Sequence, residues 1–170
     1  MMHDEWILQV EDDENDVLLL QHVFAQAGIL NPVHVATDGQ QAIDYLAGVG
    51  RYADRSKFPM PRLVLLDLRI PKIMGLEVLR WIRYQPALNA LHVAVFSSSD
   101  HPADIKAAHH LGANSYYMKP CTVAERLKIA QEMKRWFLQT DEEARLGRGR
   151  RELGVMFNLD GRARPVPTHR

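Results

Sequence analysis

Leu63-Val64-Leu65-Leu66-Asp67-Leu68-Arg69-Ile70-Pro71 is the stretch on which the reading of this chain turns. Its first four residues are apolar without interruption. A strand exposed on one face alternates, so the unbroken run predicts a strand covered on both faces, as at the centre of a parallel sheet. The run stops at Asp67, which puts a carboxylate at the carboxyl end of that strand.

Outward from there, residues 1–140 alternate short β-rich runs with helical patterns. Strands are predicted at Trp6–Val10, Pro32–Ala36, Leu63–Asp67, His92–Ser97 and Ser115–Met118. Between the first two, Val17, Leu20, Val23, Phe24 and Ala27 share one helical face, and Gly28 is placed to end the helix. Further helices are predicted near Gln40–Leu46, Leu76–Tyr84, Ala103–Leu111 and Val123–Leu138. The last has Leu127, Ala130, Met133, Lys134 and Phe137 at helical spacing. Strict alternation of five strands with five helices predicts an α/β fold with a doubly wound, five-stranded parallel sheet. Ligands bind such sheets at the carboxyl ends of the strands.

Those ends carry chemistry. The first predicted strand runs into Glu11-Asp12-Asp13-Glu14, the third ends at Asp67, the fourth at Ser97-Ser98-Ser99, and the fifth at Lys119-Pro120. Clustered carboxylates repel one another, and a hard divalent cation with oxygen ligands, Mg²⁺ above all, relieves that repulsion. A carboxylate beside such an ion serves as nucleophile towards a phosphoryl group, while a lysine and a hydroxyl hold the phosphoryl oxygens. Taken singly, each residue has a plainer account: a helix cap, a solvated acidic loop, a surface lysine. The conjunction at four strand exits is what loop chemistry does not explain.

Composition narrows the field. The 170 residues amount to one domain, with 46% apolar and 25% charged residues. Lys+Arg 21 against Asp+Glu 21 gives neutrality, so no whole-molecule field favours nucleic acid or an anionic membrane. No apolar run approaches the roughly 18–20 residues of a membrane span. The acidic start MMHDEW lacks the pattern of a signal peptide. The single Cys121 excludes an internal disulfide and a multi-cysteine zinc site. A cytoplasmic, reduced protein is expected. Residues 141–170, with 7 Lys/Arg against 5 Asp/Glu and no sustained period, read as an arm or tail added to the domain of residues 1–140. A disordered basic tail is the first reading; the next is an arm that folds over a partner subunit or its own domain, with Val155-Met156-Phe157, in the only apolar patch, as its anchor.

The chain resembles the receiver domains of two-component response regulators over about residues 5–138. The motifs are Ile7-Leu8-Gln9-Val10-Glu11-Asp12, Leu63 to Pro71 with Gly75, Val93-Ala94-Val95-Phe96-Ser97, and Gly112-Ala113-Asn114-Ser115-Tyr116-Tyr117-Met118-Lys119-Pro120. The insert Gly48–Arg62 and Gly75-Leu76-Glu77-Val78-Leu79-Arg80-Trp81-Ile82-Arg83 extend the resemblance to single-domain regulators paired with bacterial and cyanobacterial phytochromes. The resemblance implies the flavodoxin-like receiver fold and a phosphoacceptor at Asp67. It implies Mg²⁺ held by Asp12, Asp67 and the backbone carbonyl of Arg69, with Glu11 acting through water. Ser97 takes the place of the switch hydroxyl, Lys119 pairs with the phosphoryl oxygens, and Tyr116 matches the aromatic that turns inward on activation. The Lys119–Pro120 bond is implied to be cis. Implied partners are a sensor histidine kinase, a phytochrome among the candidates, a downstream protein or phosphotransfer partner, and a second copy of the chain. The protein is then a switch that phosphorylates and dephosphorylates itself, carries no output domain and turns over no external substrate.

Two residues depart from the family pattern. Arg69 sets a large cation beside the site, either contacting the phosphoryl group or screening it, and Cys121 stands where Phe is common and reads as a small buried thiol. The nearest alternative, a haloacid-dehalogenase-like phosphatase, needs an acid two residues past its nucleophile, where this chain has Arg69. Gly48-Val49-Gly50 reads as a surface loop, and His109-His110 as a solvated pair rather than a metal site. Trp81, Trp136, Phe96 and Phe137 read as core or interface. Binding of nucleic acid by the basic tail is the remotest reading, since about 30 residues without a helix-turn-helix pattern form no DNA-binding domain.

Overall fold

The computed structural model describes residues 5–146, 155–157 and 163–165. Strands β1 (Ile7–Val10), β2 (Val33–Ala36), β3 (Leu63–Leu66), β4 (His92–Ser97) and β5 (Ser115–Met118) pair in parallel in the order β2-β1-β3-β4-β5. Helices α1 (Glu14–Ala27), α2 (Gly39–Ala47), α3 (Gly75–Tyr84), α4 (Pro102–His110) and α5 (Val123–Arg145) follow strands one to five in turn. The expected α/β sandwich is therefore present, and among the described residues no helix is long and apolar enough to cross a membrane.

The unbroken apolar run of β3 is divided between two cores. Leu63 and Leu65 pack with Ile7, Ala94, Phe96 and Tyr117 beneath α1 and α5. Val64 and Leu66 pack with Leu8, Val10, Val93 and Val95 beneath α2, α3 and Ala108 of α4. Alternate residues face opposite layers, so a strand buried on both sides needs apolar side chains at every position. Helix α1 starts at Asp13, whose carboxylate accepts from the backbone of Asn15 at 2.8 Å, and ends at Gly28 in the left-handed region, φ 74°.

The order β2-β1-β3 means that the chain leaves β1 towards one edge and returns at β3 towards the other. At this reversal the connections above β1 and β3 diverge and leave a crevice over their carboxyl ends. Gly75 holds the floor of that crevice. A Cβ there would stand 2.2 Å from the Asp67 carbonyl oxygen and 2.7 Å from Leu68 Cα, both backbone atoms that do not yield. Gly75→Ala is expected to lower unfolding stability by about 2–3 kcal/mol, read by urea denaturation, because the backbone carrying Asp67 must move.

The opposite end of the sheet has its own titratable group. His92 opens β4, is buried, and stacks tilted on Trp136 at 4.4 Å between ring centres. Burial, aided by the charges of Arg83 and Arg62, pushes its pKa down to about 3. The unfolded chain takes up that proton near pH 6.5, so between these values it binds more protons than the folded form, and stability falls as the pH drops through 6.5. Between pH 7.5 and 5 this single group is expected to remove about 2 kcal/mol, a loss that His92→Phe abolishes in paired urea titrations.

Two expectations are corrected. Among the described residues no peptide bond is cis, so Lys119–Pro120 is trans. The trans form is the intrinsically favoured one, and from it Lys119 reaches the site with its backbone N–H on the Ser97 carbonyl at 2.9 Å. Cys121 is exposed rather than buried, because the chain turns outward after Pro120 to begin α5 on the surface. Among the described residues after 140, α5 continues to Arg145, Val155–Phe157 (β6), the apolar stretch singled out as an anchor, adds in parallel to β5, and Ala163–Pro165 (β7) pairs antiparallel to β6. Three-residue strands held by backbone pairing display no period of their own. His109 and His110 are exposed as expected, and Phe96, Trp136 and Phe137 are core residues.

Candidate functional site

The strand exits converge as the sequence predicts. Glu11 leaves β1 with its N–H bonded to Ala36 O at 2.9 Å, and Asp67 leaves β3 with its N–H bonded to Val10 O at 3.1 Å. Both carboxylates are buried, at 3% and 5% exposure, while Asp12 is exposed at the mouth. Carboxylate oxygens of Glu11, Asp12 and Asp67 all lie within 4.8 Å of one another. Three hard oxygen donors at that spacing, none softened by sulfur or imidazole, fit a divalent cation of the magnesium or manganese kind.

Lys119 closes the cluster from β5. Its Nζ donates to Glu11 Oε2 at 2.5 Å, to Asp67 Oδ2 at 2.7 Å and to Asp16 Oδ2 at 2.9 Å. Burial alone pulls the ammonium pKa down, but these hydrogen bonds outweigh it and hold it above the ordinary lysine value. Burial also pushes Glu11 up, against the pull of Lys119. The other oxygen of Asp67, Oδ1, accepts from Ser97 Oγ at 2.9 Å and from the Arg69 backbone N–H at 3.1 Å. Asp67 thus has one oxygen on an ammonium and the other on a hydroxyl and an amide, every donor preset before any ligand enters.

Around this centre a second chain of contacts leads to the predicted switch. The Arg69 guanidinium pairs with Asp104 of α4 at 2.9 Å, so its charge is spent on α4 and not on the Asp67 carboxylate. Ser99 Oγ donates to the same Asp104 oxygen at 2.6 Å, and Tyr116 OH donates to the Ser99 carbonyl at 2.8 Å. Tyr116 is buried, which raises its pKa, and its ring points inward. Ser97 and Tyr116 are thus both tied to the loop that joins β4 to α4.

All the predicted side chains come together, and four unpredicted ones join them. Asp16 in the first turn of α1 and Arg126 of α5 form an ion pair at 3.0 Å. Asp104 and Ser99 link Arg69 to Tyr116. Asp16 has one sequence signal, its place one helical turn past Asp12, but it hides in an acidic run. Arg126 has none, because its partner lies on a helix 110 residues earlier in the chain.

Comparison with known proteins is consistent across sequence and structure. The family model for the response regulator receiver domain matches residues 7–131. The probable methanogenesis regulatory protein FilR2 of Methanothrix harundinacea is 34% identical, over 78% of this chain and 83% of its own. The response regulator Rcp1 of Synechocystis is 34% identical over 79% of this chain and 89% of its own. The structure of its Mn²⁺-bound form aligns with a TM-score of 0.71, covering 80% of this chain and 96% of that one. The phosphorylated cyanobacterial phytochrome response regulator RcpA aligns with a TM-score of 0.74 at 33% identity, covering 81% of this chain and 96% of that one.

Proposed function

We propose that this chain, which belongs to the response regulator receiver family, accepts a phosphoryl group on Asp67 from a sensor histidine kinase and signals through protein–protein contact. Residues 1–140 are the receiver and residues 141–170 the extension. The observation that supports this reading most is the pairing of Lys119 Nζ and Ser97 Oγ on opposite oxygens of one buried aspartate, at 2.7 and 2.9 Å.

Mg²⁺ is the proposed ion, held by Asp12, Asp67 and the backbone carbonyl of Arg69, with Glu11 acting through water; when bound it draws charge from the phosphoryl oxygens and screens the carboxylates from one another. Asp67 supplies the nucleophilic oxygen. An O–P bond forms at its carboxylate as the bond from phosphorus to the donor's nitrogen or oxygen breaks, and the donor leaves with that electron pair. Lys119 turns from Asp67 Oδ2 to a phosphoryl oxygen, and the Ser97 hydroxyl moves from Asp67 Oδ1 to another. Both donors are already present, so the step demands little reorganisation. Water later attacks the same phosphorus and restores the carboxylate, so the protein turns over only its own phosphoryl group.

The signal follows from the Ser97 shift. Ser99 and Tyr116 move with the loop that carries Ser97, and the face formed by α4, β5 and α5 changes with them. The pairing of Val155–Phe157 with β5 supports a role for the extension as an arm, on its own domain or on a second copy. The likeness to Rcp1 and RcpA supports a phytochrome kinase as the partner. The test is transfer of labelled phosphate from an autophosphorylated bacteriophytochrome histidine kinase. Transfer within seconds, at least ten-fold faster than from an unrelated kinase, is the expected result. Equal rates from both would remove the phytochrome assignment and leave the receiver chemistry standing.

A further inference from the structure

Lys119 donates to three carboxylates, and phosphoryl transfer on Asp67 accounts for two of them: Glu11 and Asp67 belong to the cation cluster, whereas Asp16 does not. Asp16 is instead shared. Its Oδ2 accepts from Lys119 Nζ at 2.9 Å and its Oδ1 from Arg126 Nη2 at 3.0 Å. Arg126 in turn donates through Nε to the Pro120 carbonyl at 3.1 Å, on the residue directly after Lys119. The circuit closes on itself: Lys119 to Asp16, Asp16 to Arg126, Arg126 to the carbonyl of Pro120, the residue next to Lys119. The Arg126 side chain is only 9% exposed and its guanidinium lies 5.7 Å from the centre of the Phe96 ring, so the fork is enclosed and held through Nε and Nη2.

We propose that Asp16 and Arg126 are positioning residues that fix the Lys119 ammonium over Asp67 for the transferred phosphoryl group. The proposal rests on the phosphoacceptor reading of Asp67. An ammonium has three protons on a flexible four-carbon stem, and here all three are engaged. When a phosphoryl group occupies Asp67 and a cation draws on the cluster, Glu11 and Asp67 change partners, and Asp16 is the anchor that does not. Arg126 makes that anchor workable. It neutralises Asp16, so the carboxylate orients Lys119 without adding repulsion towards the incoming phosphoryl oxygens, and its hold on Pro120 fixes the start of the stem.

A plain staple between α1 and α5 would use the same ion pair, and the two roles separate experimentally. Asp16→Asn, Arg126→Gln and the double variant of the full chain are compared for unfolding midpoint, for maximal rate of phosphorylation by acetyl phosphate, and for the magnesium concentration giving half that rate. The ¹⁹F spectrum of the beryllofluoride complex, a stable phosphoryl mimic, reports the Lys119 contact directly. Each single variant is expected to lose about ten-fold in maximal rate, as a displaced catalytic group does, with half-saturating magnesium unchanged within about two-fold. The double variant should be no slower than either single one, since both residues act through Lys119. The fluorine resonance facing Lys119 should shift in all three. Lowered midpoints with the rate and the ¹⁹F spectrum unchanged would overturn the proposal and leave a staple. Asp16→Asn is close to isosteric and decides the matter alone if Arg126→Gln does not fold. A wild type that neither gains phosphate nor shows bound fluorine overturns the phosphoacceptor reading, and the positioning role with it.

Discussion

Lys119→Met is expected to cost about 3–5 kcal/mol of unfolding stability in magnesium-free buffer at pH 7.5 and to stop phosphoryl acceptance. The methionine fills similar space, so the loss is electrostatic. Lys119 is the ammonium on which Glu11, Asp16 and Asp67 all converge, with its own side chain 6% exposed. Without it, Glu11 and Asp67 face one another across a buried crevice, and Arg126 reaches only Asp16. Two further results distinguish this cause from simple loss of packing. Magnesium should restore part of the stability, because a cation bound to the folded cluster alone stabilises by mass action. Lowering the pH should also narrow the gap between variant and wild type, because Glu11, already pushed up by burial, takes up a proton more readily once Lys119 is gone. Urea titrations at two pH values, with and without magnesium, measure all of this. A variant as stable as the wild type throughout would contradict the ion cluster as described.

Asp67→Asn is expected to reduce phosphorylation by acetyl phosphate more than about a thousand-fold, to the background of the reagent, since a neutral amide has no nucleophilic oxygen to offer. The substitution keeps the shape of the side chain but turns the oxygen that accepts from Lys119 at 2.7 Å into an N–H donor, which leaves the ammonium to Glu11 and Asp16. The amide oxygen in place of Oδ1 still accepts from the Ser97 hydroxyl at 2.9 Å and from the Arg69 N–H at 3.1 Å. Circular dichroism checks that the variant is folded, so that initial rates of label incorporation report the chemistry. Glu11 and Asp12 remain in this variant. Residual incorporation near the wild-type rate would assign the phosphoryl group to one of them.

The central sheet and the residues at its strand ends were legible because each was set by a local rule. An apolar run of four residues that stops at Asp67, among other short runs separated by helical patterns, marks a doubly covered strand. Asp67, Ser97 and Lys119 follow from that placement alone. Contacts that join elements far apart in sequence were not legible. The Asp16–Arg126 pair needs α1 and α5 side by side, and the Arg69–Asp104 pair needs the turn of α4. Nothing in the sequence points to either partner. Arg69 was read as contacting or screening the phosphoryl group; its guanidinium is held by Asp104, and only its backbone N–H touches Asp67. Cys121 misled for a related reason. A small thiol after Lys-Pro suggests burial by type, whereas exposure there is decided by the direction in which the chain leaves Pro120. The sequence marks Val155-Met156-Phe157 as an apolar anchor but not as a strand, and nothing in it marks 163–165, since their pairing comes from the free edge of β5 and not from their own pattern.

Intact mass after incubation with Mg²⁺ and acetyl phosphate is the measurement that meets the central claim most directly. The wild-type chain should gain one phosphoryl group, and Asp67→Asn and a magnesium-free control should gain none. An adduct of equal size on Asp67→Asn, or one formed equally well without a divalent cation, would contradict a phosphoacceptor built from Asp67, Lys119, Ser97 and the acidic cluster.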